Sequence, residues 1–157
     1  MNVSNNATLH HTSILVKDLE KSAENFAKAL SVTWNLWTIE PDKCFVNGKA
    51  SPFSFRVALT QVGDASLELI TPNSGESVYD EQLATKGEGF HHTCFAYPDL
   101  ESMQAAKNEM LAQGFSLIQH GYTEGAFEFC YFELKEPNVL LELLYLKELP
   151  PPEKTIG

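Results

Sequence analysis

The sequence predicts an α+β fold made of two similar modules, each a strand, a helix and three further strands (βαβββ). Three observations carry that expectation. Residues 10–30 laid against 91–111 give seven identities in 21 positions at one fixed offset of 81: His10-His11-Thr12 with His91-His92-Thr93, Asp18-Leu19-Glu20 with Asp99-Leu100-Glu101, and Leu30 with Leu111. Further along, Phe55 matches Phe129 and Leu67-Glu68-Leu69 matches Leu141-Glu142-Leu143, now at an offset of 74. In both copies the apolar period passes from alternation to helical spacing and back. Two copies of one module explain all three.

Each copy opens on a strand, His11–Val16 or His92–Tyr97. A helix follows, capped by Asp18 or Asp99, because a carboxylate accepts from the free amides of the first turn. Leu19, Ala23, Phe26 and Leu30 recur at helical spacing, as do Leu100, Met103, Ala106 or Lys107, and Met110, before Gly114 ends the second helix. The remaining strands are expected at Trp34–Ile39, Phe53–Gln61 and Ala65–Ile70, then Ser116–His120, Ala126–Leu134 and Val139–Leu146. Gly63-Asp64 and Pro137-Asn138 suit hairpin turns. The change of offset from 81 to 74 places seven extra residues in the first copy, within Cys44 to Pro52, around Asn47-Gly48.

The whole of 1–157 thus reads as a single domain, with modules at 9–71 and 90–146, a linker helix over 77–86 and a flexible tail at 150–157. The net charge of −10 disfavours nucleic acid and membrane surfaces, which need a basic face. Arg56 is the only arginine, so a substrate with several phosphates would depend on lysines or backbone amides. The first residues lack the basic start and apolar run of a signal peptide, and no stretch approaches the roughly 20 apolar residues of a membrane helix. Three scattered cysteines form neither a disulfide framework nor zinc-ribbon pairs. The cytoplasm is the expected location.

Each module puts a histidine at the start of its first strand and a glutamate inside its last. Pairing the copies about a pseudo-twofold axis would gather His11, Glu68, His92 and Glu142. Imidazole nitrogen and carboxylate oxygen suit one divalent first-row ion such as zinc, nickel, cobalt or manganese. Glu68 and Glu142 lie in the apolar runs Ser-Leu-Glu-Leu-Ile and Leu-Leu-Glu-Leu-Leu, where a glutamate is seldom buried unless paired or coordinated. One such residue would be ordinary strand chemistry; four at repeat-equivalent places point to a metal. Strand alternation sends His10 and His91 to the opposite faces, as packing or supporting groups, and keeps Ser13 and Cys94 on the ligand face.

The run His-Thr-Ser-Ile-Leu-Val followed by Lys-Asp-Leu-Glu-Lys-Ser resembles the opening of the vicinal oxygen chelate superfamily, the glyoxalase, bleomycin-resistance and dioxygenase group. Leu-Glu-Leu-Ile-Thr-Pro, then Lys86-Gly-Glu-Gly-Phe-His-His-Thr-Cys, then Val-Leu-Leu-Glu-Leu is similar to methylmalonyl-CoA epimerases, over about residues 9–146. The resemblance implies a cupped sheet around the metal, with His11, Glu68, His92 and Glu142 on family ligand positions. Where some epimerases carry a catalytic glutamate, this chain has Ser54-Phe55-Arg56-Val57; Thr123-Glu-Gly-Ala and Leu134-Lys-Glu-Pro-Asn replace the usual glycine-rich and His-Pro-Lys stretches.

The activity so implied is that of an isomerase, epimerase or lyase working through a metal-stabilised enolate of a small molecule. By analogy with glyoxalase I, Glu68 and Glu142 are the catalytic acid–base candidates, and Arg56 is a candidate clamp for a substrate carboxylate. A non-haem iron dioxygenase and a drug- or metabolite-sequestering protein stay open. A homodimer is expected from the related epimerases and from Phe127, Phe129, Tyr131 and Phe132 as apolar surface.

Overall fold

The repeat becomes a repeat of structure. A computed structural model describes residues 6–157. In the first copy, strand β1 (Thr8–Leu15) leads to helix α1 (Leu19–Leu30), then β2 (Trp34–Ile39), a hairpin β3 (Lys43–Val46) and β4 (Lys49–Ala50), then β5 (Ser54–Val62) and β6 (Ala65–Ser74). Helix α2 (Val78–Thr85) links it to the second copy: β7 (Gly89–Ala96), α3 (Leu100–Ala112), β8 (Ser116–Thr123), β9 (Phe127–Leu134) and β10 (Val139–Leu146). A last strand, β11 (Lys154–Ile156), follows.

The caps are those expected. Asp18 accepts from the Lys21 amide at 3.0 Å and Asp99 from the Ser102 amide at 2.7 Å, each cap stabilising its helix by about 1 kcal/mol. At α2 the Asp80 carboxylate accepts from both the amide and the hydroxyl of Ser77.

All strands join one open, curved sheet in the order β11-β2-β5-β6-β1-β7-β10-β9-β8-β3-β4. The centre is the antiparallel pairing of β1 with β7, one strand from each copy. Each is flanked by the last strand of its own module in parallel, β1 by β6 and β7 by β10. Helices α1 and α3 cover the convex face. Leu19 and Ala23 of α1 pack on Trp34, Leu36, Ala58 and Leu69; Met103 and Ala106 of α3 pack on Cys130, Phe132 and Leu143. The third cluster, including Trp37, Phe53, Phe55, Tyr79, Phe129 and Tyr131, fills the concave side.

One expectation is met with an unforeseen pairing, and two are corrected. The seven extra residues do form a hairpin at Asn47-Gly48, but β3 leaves its own module and pairs with β8, extending the far edge of the second. The tail at 150–157 is not frayed: β11 pairs antiparallel with β2, Ile156 opposite Trp34, because β2 would otherwise be a bare edge beside an apolar cluster. And the aromatic row of β9 is not free to meet a partner. Phe129, Tyr131 and Phe132 are buried within the chain, and Phe127 is half-buried beside Phe129.

Candidate metal centre

β1 and β7 do not pair without interruption. The register slips between Leu9 and His11 on β1, and between Phe90 and His92 on β7. Each slip is a bulge holding the first histidine of a His-His pair, and a bulge re-aims its side chains. So His10 and His91 do not face away from the ligand positions, as simple alternation required. His10 Nδ1 lies 2.7 Å from His11 Nδ1, and His91 Nδ1 lies 2.7 Å from His92 Nδ1. Each first histidine fixes the ring of the second by its inner nitrogen, leaving the Nε2 atoms of His11 and His92 to point at one another across 3.1 Å.

Glu142 completes a compact cluster with the two imidazoles, the three donor atoms lying within 4.8 Å of one another, and Glu68 stands at its edge. Glu142 Oε2 stands 2.8 Å from His92 Nε2 and 3.2 Å from His11 Nε2. Glu68 stands 3.5 Å from His11 Nε2 and 3.7 Å from His92 Nε2. All four side chains are buried. Ser13 and Cys94, one on each central strand, sit opposite Glu68 and Glu142 in the parallel pairings. Ser13 Oγ donates to Glu68 Oε1 at 2.7 Å. Burial and the neighbouring Glu142 push the Cys94 thiol well up, so it stays protonated and is no nucleophile.

The donor set fits a divalent cation. Atoms bound about 2.1 Å from one centre at tetrahedral or octahedral angles stand roughly 3.0–3.4 Å apart; His11, His92 and Glu142 stand 2.8–3.2 Å apart, near that range, and Glu68 at 3.5 and 3.7 Å lies just outside it. Among the described residues, Glu142 Oε2 is buried and meets no donor with hydrogen-bond geometry, despite two imidazoles beside it. Burial by itself would lower His11, yet the carboxylates of Glu68 and Glu142 outweigh it and raise the ring to about 9. Two buried carboxylates on this scale call for positive charge among them. A ligand imidazole bound through Nε2 keeps its proton on Nδ1 and donates it outward. His10 and His91 would accept that proton's hydrogen bond and carry their own hydrogen on Nε2.

The centre opens to one side. His11, Glu68 and Glu142 form the floor of a cavity of about 370 Å³ whose walls include Phe55, Val57, Leu59, Phe129 and Leu144. His10 belongs to that wall, a site residue that strand alternation missed; the paired histidines at both repeat positions were its only sequence signal. Gly121 on β8 makes room for the wall, since a Cβ there would meet the Phe129 ring at 2.7 Å. The repeat-related side is closed instead. Tyr79 of α2 packs on His91 at 5.2 Å and joins hydroxyls with Tyr131 at 2.7 Å. His91 Nε2, buried with no partner among the described residues, borders a separate cavity of about 300 Å³ beneath α2.

Arg56 is not part of this cavity. Residues 55, 57 and 59 of β5 share the concave face with Glu68, which pairs with Leu59, whereas Arg56 pairs with Thr71 and turns to the helices. Its guanidinium meets both carboxylate oxygens of Glu20 on α1, at 3.1 and 2.7 Å. The expected substrate clamp is a helix-to-sheet tie, because its strand parity is opposite to that of the ligands.

The two-module βαβββ cup, with paired histidines and glutamates near one point, defines a glyoxalase-like fold with a group of side chains that could hold a metal. Residues 10–131 match the sequence model of the Glyoxalase/Bleomycin resistance protein/Dioxygenase superfamily, and the chain belongs to that superfamily. Its members usually bind a metal and include both enzymes and binding proteins. No curated protein sequence matches the chain. Among solved structures, a Streptomyces coelicolor methylmalonyl-CoA epimerase in complex with 2-nitronate-propionyl-CoA is 21% identical, with a TM-score of 0.64 over 89% of this chain and 97% of that one. The Mycobacterium tuberculosis methylmalonyl-CoA epimerase is 22% identical, with a TM-score of 0.61 over 89% and 88%. A hypothetical protein from Bacillus halodurans is 19% identical, with a TM-score of 0.61 over 92% and 97%. These likenesses establish the fold. Among the described residues, no helix is long and apolar enough to cross a membrane.

Proposed function

We propose that the protein is a metal-dependent isomerase, epimerase or lyase, with His11, Glu68, His92 and Glu142 holding one divalent ion and the 370 Å³ cavity holding a small substrate. The observation that carries this reading is Glu142 Oε2, buried without a hydrogen-bond donor between two imidazole Nε2 atoms on the floor of that cavity. A divalent ion there supplies Lewis-acid stabilisation of the charge that develops when a proton leaves carbon beside a carbonyl.

The chain's own groups handle the proton. Glu68 and Glu142 both reach the cavity floor, so either carboxylate can take a proton from one face of a substrate carbon and return it. Ser13 holds one oxygen of Glu68 and leaves the other to act. Apolar walls keep water from the reacting carbon, which strengthens each electrostatic contact inside.

A dioxygenase of the two-histidine, one-carboxylate kind is a further reading, since His11, His92 and Glu142 form the compact donor group; Glu68 beside them as a fourth ligand counts against it. Sequestration without chemistry is the second reading, favoured by one feature: Phe55 and Val57, not a glutamate, line the wall on β5. Metal analysis of the purified protein, followed by NMR of α-hydroxyketones and 2-substituted acyl thioesters in D₂O, separates the readings. Exchange of the α-proton by loaded protein, absent in Glu142→Gln, supports the enzyme. Tight binding of a candidate with no exchange in any of them assigns sequestration.

A further inference from the structure

We infer that the cavity takes a mainly apolar molecule that bears no negative charge outside the oxygens it presents to the metal, and that a cationic amine at its outer end strengthens binding. The inference deepens the proposed function and rests on its metal centre.

The charge of the lining is one-sided. Glu40, Asp42 and Glu148, all exposed, stand on the wall of the cavity above the floor carboxylates. No lysine or arginine lines it among the described residues. Lys43 and Lys147, the chain neighbours of Asp42 and Glu148, are exposed but do not line the cavity. The only arginine is committed to Glu20 on the far face of the sheet. The net charge of −10 deepens the same potential. Between mouth and floor the walls are mainly apolar (Phe55, Phe127, Phe129, Leu144 and Leu149), with His10, Thr38 and Thr123 as the polar groups, so no fixed positive charge there receives a carboxylate or phosphate. Aromatic faces below a ring of carboxylates suit an ammonium group instead.

The sign excludes more than it admits. A phosphate-bearing thioester or a second free carboxylate would enter against three rim charges with no cation to receive it. Charges of this kind, within about a Debye length of roughly 8 Å at physiological salt, shift affinity by about tenfold or more between an anion and a cation of equal shape. The CoA ligand described for the Streptomyces coelicolor epimerase belongs to that protein; this chain's mouth opposes such a ligand.

Three probes isolate the sign of the charge: dopamine, 4-methylcatechol and 3,4-dihydroxyphenylacetate share a ring and a vicinal oxygen pair, and differ at the far end. Calorimetry is run on the full chain, metal-loaded and metal-stripped. The expected result is metal-dependent binding in the order amine, neutral, acid, with at least tenfold between first and last. That gap should shrink in 0.5 M KCl and collapse in the surface variant Glu40→Gln/Asp42→Asn/Glu148→Gln. Metal-dependent binding with the acid as tight as the amine overturns the inference and leaves the metal centre standing. An order unchanged in the triple variant overturns it too, since the rim would not be its source. Metal-independent binding, or none, sinks the metal reading and this inference with it.

Discussion

Ser13 and Glu68 are cross-strand partners between β1 and β6, and the Ser13 hydroxyl donates to Glu68 Oε1 at 2.7 Å. The second module repeats the relationship with Cys94 opposite Glu142. The hydroxyl is buried, so its loss leaves a carboxylate oxygen without its donor. Ser13→Ala should therefore weaken metal binding by about 10–100-fold, as removal of a group supporting a ligand commonly does, with the fold retained. Ser13→Cys, which copies the other module, should recover part of it. Chelator competition with a fluorescent indicator measures both, and equal affinities in wild type and Ser13→Ala would remove Ser13 from the site.

The histidine pairs make a graded prediction. His92→Ala and Glu142→Ala each delete a donor and should lose most bound metal on dialysis. His91→Ala deletes only the group that orients His92 through Nδ1, so it should retain the ion with about 10–100-fold lower affinity. Elemental analysis finding His91→Ala depleted and His92→Ala loaded would reverse the assignment.

Much of this was legible because the repeat carries both the fold and the donors. Two histidines and two glutamates at equivalent places needed only an in-sheet twofold to meet, and the β1–β7 pairing supplies it. The bulges at His10 and His91 were not legible, since a one-residue slip leaves no mark on apolar alternation. The orientation of Arg56 was recoverable. The Gly63-Asp64 turn fixes the β5–β6 register, which pairs Leu59 with Glu68 and so sets Arg56 on the other face. The destination of β3 was not recoverable, because its pairing with β8 spans more than seventy residues and depends on which edge is left open.

Arg56→Ala should leave metal content and ligand affinity untouched, because its partner Glu20 and its strand face lie away from the cavity. The pair is partly exposed, which limits its contribution to about 0–1 kcal/mol. A melting temperature lower by a few degrees at most, with unchanged calorimetry, is the expected outcome. Loss of ligand binding in a folded Arg56→Ala would restore Arg56 as a substrate contact.

Acid stability should depend on Glu128. Burial by itself would raise this carboxyl, but the His120 ring, the Lys107 ammonium and Gln104 overcome it and hold the group at about 2 against a usual 4.5. A carboxyl depressed in the folded state binds its proton more readily when unfolded. The stability it provides is thus full above about pH 4.5 and is lost as pH falls towards 2. Glu142 is also lowered, by His92 and His11 against the cost of burial, and it contributes in the same sense. The difference between wild type and Glu128→Gln isolates Glu128. In melts from pH 2 to 7 that difference should be largest near neutrality and close to nothing near pH 2; a difference constant across the range would refute the linkage.

The C-terminal strand offers the sharpest stability test. Ile156 packs beside Trp34 and Leu36, and Thr155 Oγ1 donates to Asn35 Oδ1 at 3.0 Å. Glu153 accepts from the Thr38 amide at 2.9 Å and from its hydroxyl at 3.1 Å. Truncation after Pro150 keeps the carbonyl that Trp37 Nε1 donates to at 2.8 Å and removes all the rest. One half-buried isoleucine contributes about 1–2 kcal/mol, and net hydrogen bonds about 0.5–1.5 each, so a loss of about 2–4 kcal/mol is expected. For a domain of this size that corresponds to a melting temperature roughly 5–15 °C lower. The exposed β2 edge should also promote association at high concentration. Metal content should stay intact, because β2, β5 and β6 stand between the tail and β1. Differential scanning calorimetry, with light scattering and elemental analysis on the same sample, reads all three. A truncated chain that melts with the full one would mean that residues 151–157 lend the first module nothing.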